Sequence, residues 1–310
     1  MIAVHDLEVR IGARTLLTPT SFSVGAGDRV GLVGRNGSGK TTLTKILAGE
    51  GLPTAGTVSS RGKIGYLPQD PRTGDLDMLA IDRILSAREL DVLVAKMWEA
   101  EEGMASLDEV VRDKAIERYG VVEERFRAAG GYAAESEAAR IAANLGLADA
   151  TLRQPIGTLS GGQRRRVELA RILFGDSETL LLDEPTNHLD ADSIVWLRDF
   201  LRSYSGGLVV ISHDAGLLRA CANKVFHLDA NRSELDQYSL GWDAYLQQRE
   251  EDEKRRHRER DNAERKAEAL IAQANKMRAK ATKAVAAQGM LRRAEKLVGS
   301  LEAERRHDKV

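Results

Sequence analysis

The sequence predicts an α/β fold: a mostly parallel sheet wrapped by helices, interrupted by a helical insertion and followed by a helical extension. Three observations predict it. From Gly161 onward, helical and strand-like segments alternate as GGQRRRVELARILF, TLLLD, ADSIVWLRDFLRSY, LVVIS, AGLLRACA and KVFHL, the order of strands joined by crossover helices. Residues 1 to 69 consist of short β runs broken by Gly and Pro. Two long stretches, Arg72 to Gln154 and everything after Trp242, contain no proline and are rich in Ala, Glu, Arg and Leu, the composition of helices.

In chain order, AVHDLEVRI, SFSV, RVGLVG, GTVSS and KIGYLPQ read as strands, each mixing β-branched or aromatic residues with turn formers at its ends. The stretch from Arg72 reads as a helical subdomain spanning about 72–175. Its acidic part, Trp98 to Asp113, reads as part of that subdomain rather than as a separate arm. The alternating stretch follows and closes a domain at about residue 241. Residues 242–310 form the extension. No internal repeat is visible.

Charge is divided unevenly. The net charge is −1. From Tyr245 to the end, 18 Lys/Arg stand against 12 Asp/Glu, and the remainder holds 28 against 35. A basic tail on an acidic body suits either a polyanionic partner or an ordinary solvated helix. The single cysteine, Cys221, excludes an intrachain disulfide and a thiolate metal site, and reads as a buried structural residue. The first residues, MIAVHDLEVRIG, lack the pattern of a signal peptide. No apolar run approaches the roughly 20 residues that span a bilayer. A cytoplasmic location is the expectation.

Two motifs carry chemistry. Gly34 to Thr41 reads GRNGSGKT, which fits G-x-x-x-x-G-K-[ST] between an apolar strand and a helix. Gly34, Asn36, Gly37, Ser38 and Gly39 let the backbone curl so that N–H groups face phosphate oxygens, with the helix N-terminus behind them at Lys40, Thr41 and Thr42. Lys40 is expected on the β- and γ-phosphates and the Thr41 hydroxyl on Mg²⁺. The second motif is TLLLDEPTNHLD, where an apolar strand ends in two carboxylates. Asp183 is expected to hold Mg²⁺ through water, and Glu184 to orient or deprotonate the attacking water.

Between them lies LSGGQ, Leu159 to Gln163, followed by RRRVELARIL. With this segment the chain resembles the ATP-binding cassette family, whose motifs appear in the family's order from Gly34 to His213. The resemblance implies a P-loop NTPase of ABC type: a mixed β-subdomain, a parallel-sheet core and a helical subdomain. It implies ATP and Mg²⁺ as ligands. It implies that Ser160, Gly161, Gly162 and Gln163 contact the γ-phosphate held by an opposite cassette, which suits an anion site at a helix start. Gln69 resembles the glutamine that senses Mg²⁺ and water, and His213 the histidine on the γ-phosphate. Where the family stacks an aromatic residue on adenine, Ile11 stands here. Its loss of π-stacking is worth about 1 kcal/mol.

The loop PTNHLD, Pro185 to Asp190, resembles the ABC-F branch, proteins with two cassettes that act on ribosomes. The extension is similar to the linker that joins those cassettes. Read by itself, it carries one apolar seam at Ala263, Ala267, Leu270, Ala274 and Met277. A second runs through Ala284, Ala287, Leu291, Ala294, Val298 and Leu301. Two seams fold into an antiparallel coiled-coil hairpin or continue as one helix; the resemblance favours the hairpin. Its tip would then present Lys276, Arg278, Lys280 and Lys283, a sequence-independent contact for RNA phosphates. The resemblance implies ribosomal RNA and tRNA as partners, and a second cassette to complete each ATP site. It also implies that this chain is the N-terminal part of a longer protein. A truncated product and a half that dimerises head to tail are the alternatives. The competing functions are the ATPase subunit of an exporter, including drug export, and a DNA-associated cassette.

Overall fold

The computed structural model describes residues 1–69 and 75–278, together with residues 288, 289, 291–293 and 295. The chain opens with strands β1 (Ile2–Ile11), β2 (Arg14–Val24) and β3 (Arg29–Val33), then helix α1 (Lys40–Leu47), then β4 (Ala55–Ser60) and β5 (Ile64–Leu67). A helical block follows: α2 (Ala80–Leu85), α3 (Leu90–Met104), α4 (Glu109–Ala128), α5 (Gly131–Asn144), α6 (Asp149–Leu152) and α7 (Gly161–Phe174). The alternating part comprises β6 (Thr179–Asp183), α8 (Ala191–Ser203), β7 (Gly207–Ile211), α9 (Ala215–Cys221), β8 (Lys224–Asp229) and β9 (Glu234–Tyr238). Helix α10 (Trp242–Arg278) ends the continuous description.

Two sheets result. An antiparallel sheet has the order β2-β1-β4, and a six-stranded sheet the order β5-β6-β7-β3-β8-β9. In the second, every pairing is parallel except β8 with β9. This is the predicted mixed β-subdomain, parallel-sheet core and helical subdomain. Strand β9 is the element the sequence reading omits: ELDQY is polar and its only aliphatic residue is Leu235, so nothing in its composition announces a strand.

The sheet is covered on both faces, which explains why its central strands are continuous apolar runs. Successive side chains of a strand point to opposite faces. Leu180, Leu182, Leu208 and Val210 accordingly pack against α2, α5, α7, α8 and α9 residues such as Ile84, Ala138, Leu169, Leu197 and Leu217. Leu181, Val209 and Ile211 face the other way, onto Ile2, Leu7, Val24 and Leu43. One core thus joins the sheet to the helical block and the other joins the two sheets.

Helix α10 is rooted on the edge of the large sheet. Tyr245 is 1% exposed and its ring lies 5.1 Å from Tyr238, 5.5 Å from Trp242 and 6.5 Å from His227. Further along, Arg256 reaches Asp236 on β9 at 3.6 Å. Of the first apolar seam, Ala267 and Ala274 are buried. The side chains of Lys276, Met277 and Arg278, the turn residues Lys280 and Lys283, and most of the second seam lie outside the described residues. The hairpin remains an expectation. Among the described residues, no helix is long and apolar enough to cross a membrane. Cys221 is buried, and burial pushes its thiol up to about 11.

Candidate nucleotide site

The loop between β3 and α1 is built on glycines. Gly34 has φ +153°, and a Cβ there would lie 2.5 Å from the Leu228 carbonyl oxygen of β8. Gly39, with φ +104°, leads into α1 beneath Leu16. Only glycine adopts such angles without strain. Lys40 Nζ donates to the carbonyls of Gly34 at 2.9 Å and Arg35 at 3.0 Å, folding back over the loop. Burial lowers its pKa, opposed by the charges of Glu184 and Asp183. The next residue, Thr41, donates its hydroxyl to Asp183 Oδ2 at 2.7 Å.

Asp183 is the last residue of β6, a strand buried along its whole length. Beyond it the chain turns sharply. Glu184 takes φ +51°, unusual for a residue with a side chain. Its N–H donates to the Ile211 carbonyl at 2.9 Å, which ties it to β7. Its carboxylate accepts from the His213 N–H at 3.3 Å and lies 3.4 Å from His213 Nε2. Burial raises the Glu184 pKa; contact with His213 works against this and the Asp183 charge adds to it. Such a carboxyl is a better proton acceptor once ionised than an exposed one.

These groups share one cavity of about 630 Å³. Ile11, Asn36, Gly37, Gly39, Lys40, Thr41, Thr42, Gln69, Asp183, Glu184 and His213 line it, so the structure brings together residues that span most of the sequence motifs. Gly34 and Ser38 lie in the same loop but do not face the cavity. Ser160, Gly161, Gly162 and Gln163 do not line it either. They form the start of α7, where Ser160 and Gln163 make a reciprocal capping box: the Ser160 N–H donates to Gln163 Oε1 at 2.9 Å, and the Gln163 N–H to Ser160 Oγ at 3.3 Å.

The sequence reading missed five residues. Arg14 pairs with Ile11 across the β1–β2 turn and lines the cavity with it. Leu16, Asn187 and Ile211 line it too. Hairpin register is the signal for Arg14. The fifth is Arg165, in the run RRR. Its Nη2 donates to the carbonyls of Asp183 at 2.7 Å and Glu184 at 3.0 Å, and its Nη1 to those of Pro68 at 3.3 Å and Gln69. Nothing local distinguishes it from Arg164 and Arg166, which bond elsewhere.

The residues fit a nucleoside triphosphate with magnesium. The loop has no room for a side chain at Gly34 and is tight against Leu16 at Gly39, and at Gly37 it is the positive φ of +75° that favours glycine. The Thr41 hydroxyl and Asp183 carboxylate, in contact, form the oxygen pair that a hard divalent cation prefers.

Comparison with known proteins agrees with this geometry. A family model described as ABC transporter matches residues 17–187, and a second with the same description matches residues 228–310. The tylosin resistance ATP-binding protein TlrC of Streptomyces fradiae is 34% identical over 306 residues, covering 94% of this chain and 55% of TlrC. The probable ATP-binding protein YheS of Escherichia coli K12 is 31% identical over 298 residues, with 96% and 45% covered. ABC transporter F family member 3 of Arabidopsis thaliana is 32% identical over 310 residues, with 96% and 42% covered. The chain therefore spans about half the length of the curated relatives it matches. In structure it is similar to the dimeric form of a bacterial ABC transporter cassette, with a TM-score of 0.54 and 21% identity. That superposition covers 76% of this chain and 97% of the cassette. The glycine loop, the paired carboxylates, the signature segment and the helical extension belong together, and this chain is a member of the ATP-binding cassette family, in its ABC-F branch.

Proposed function

We propose that the chain binds and hydrolyses Mg-ATP as one cassette of an ABC-F protein that acts on the ribosome, in translation or in protection against ribosome-targeting antibiotics. The observation that carries the chemistry is the meeting of Lys40, the Thr41–Asp183 pair and the Glu184–His213 pair on one cavity. Lys40 leaves the Gly34 and Arg35 carbonyls and pairs with the β- and γ-phosphates. Thr41, Asp183 and Gln69 are the residues that would hold Mg²⁺. Bound Mg²⁺ supplies charge neutralisation at the phosphates. Glu184 accepts the proton of the attacking water, and His213 contacts the γ-phosphate. Ile11 and Arg14 flank the mouth where the base enters.

The Ser160–Gln163 capping box lies away from this cavity, which supports a site completed by the signature of a second cassette. Until one closes over it, turnover in this chain is expected to be slow. Similarity to TlrC supports the antibiotic-protection side of the reading. The basic extension supports an RNA partner, with Lys276, Arg278, Lys280 and Lys283 as its contacts.

Two measurements test this. Phosphate release from Mg-ATP should be detectable and lost without Mg²⁺. Co-sedimentation with ribosomes should weaken steeply with salt, and neutralising Arg278, Lys280 and Lys283 together should weaken it further and flatten the salt dependence. Ribosome binding that ignores those three substitutions across the whole salt series would remove the RNA role.

A further inference from the structure

We propose that Arg165 is a positioning residue that clamps the Gln69 segment to the Asp183–Glu184 strand end, and links both to the helix carrying the Ser160–Gln163 signature. Its functional consequence rests on the ATPase reading above; the clamp itself rests on geometry alone.

Strands β5 and β6 run side by side only as far as Leu67 and Leu182. The next residue on β5 is Pro68, which has no N–H to continue the ladder. Beyond that point the two chains must part or be held by something else. Arg165 stands at this spot. One guanidinium reaches carbonyls from both chains, Pro68 and Gln69 on one side, Asp183 and Glu184 on the other. It replaces the ladder where proline ends it. The planar fork of five donors suits several fixed acceptors at once, as no lysine can.

The acceptors of these four bonds are main-chain oxygens, and through them Arg165 fixes where the chain lies. At Glu184 the effect is direct. The residue sits at φ +51°, with its N–H held by Ile211 and its carbonyl held by Arg165. The peptide groups on both sides of an unfavourable backbone angle are thus pinned, the condition under which such strain persists. An arginine in an RRR run would ordinarily be a solvated helix face; this one is 7% exposed, and a buried cation has to be used by its surroundings.

Arg165 belongs to α7, whose first turn is the signature. A shift of that helix moves the guanidinium, and with it the Gln69 carbonyl and the Glu184 backbone. The segment that would grip a partner's nucleotide is in this way coupled to the chain's own proton acceptor.

The test uses the whole 310-residue chain with Arg165→Met, which keeps the stem and removes the fork, and Arg165→Lys, which keeps the charge. Amide hydrogen exchange reads the clamp without requiring activity. Exchange in peptides covering 66–69 and 183–187 should accelerate together in Arg165→Met, and to a smaller degree in Arg165→Lys, while β7 and β8 stay protected. Phosphate release should fall about tenfold or more in kcat, with the KM for ATP within about twofold, because misplacement by about 1 Å costs catalysis rather than binding. If Arg165→Met does not fold, Arg165→Lys carries both readouts. Unchanged exchange in either segment, or a loss of nucleotide affinity that matches the loss of rate, overturns the proposal. Absence of turnover in the unsubstituted chain, with exchange changing as described, would count against the ATPase reading and leave the clamp standing.

Discussion

Replacing Glu184 with glutamine separates the proton acceptor from everything else Glu184 does. The structure indicates what the amide preserves. One side-chain oxygen remains to accept the His213 N–H, a contact of 3.3 Å, and the NH₂ group replaces the oxygen 3.4 Å from His213 Nε2, where a neutral imidazole can accept from it. The backbone turn at φ +51° depends on Ile211 and Arg165, which the substitution does not touch. Shape and position survive, and the negative charge is lost. A positioned general base contributes about 10²- to 10⁴-fold, and each factor of ten is about 1.36 kcal/mol, so Glu184→Gln should raise the barrier by roughly 3 to 5 kcal/mol. Nucleotide affinity should change little, since Lys40, Thr41 and Asp183 are intact. Stability should not fall. Burial raises the Glu184 pKa, so the folded state disfavours its ionised form; that cost is absent below the unfolded pKa and fully present above the folded one. Glutamine never carries it, and the variant should melt at or slightly above the wild-type temperature near neutral pH. The same shift sets the pH profile. Below its raised pKa Glu184 is protonated and cannot accept, so the acid limb of kcat/KM, which reports the free enzyme, should lie above the ordinary glutamate range. The assays are phosphate release against ATP concentration and pH, fluorescent-nucleotide titration, and thermal melting. Turnover in Glu184→Gln within about threefold of wild type would refute the assignment of the base, as would a loss of binding parallel to the loss of rate.

Two other substitutions probe the loop and the root of the extension. Gly34→Ala places a methyl group 2.5 Å from the Leu228 carbonyl oxygen at φ +153°. Strain of about 1–3 kcal/mol falls on the phosphate loop, and ATP titration should show affinity weakened by roughly tenfold or more; unchanged affinity would mean the loop does not grip the phosphates in this conformation. Tyr245→Ala empties the ring site between Tyr238, Trp242 and His227. By analogy with Phe→Ala, about 3–5 kcal/mol should be lost, with hydrogen exchange rising first at the start of α10. A loss below about 1 kcal/mol in urea unfolding would show that the root of α10 is not sealed as described.

The sequence by itself determined the local parts of this protein. A glycine loop, a capped helix start and an apolar strand ending in carboxylates are each set by backbone angles and neighbours within a few residues. Gly34 to Thr42, Ser160 to Gln163, and Asp183 and Glu184 could therefore be read directly, and helix α7 runs from Gly161 to Phe174 as its pattern indicates. Tertiary structure decided what depends on which strand lies beside which. Strand β3 inserts between β7 and β8, which sets Leu228 against Gly34 and closes the loop from behind. Polar β9 becomes a strand only because β8 offers it an edge. Arg165 is indistinguishable from its two neighbours until β5 and β6 separate beneath it. Sequence periodicity records which face a residue takes within its own element; the contact that gives the residue its role is made with an element far away in the chain, and only the packed sheet brings the two together.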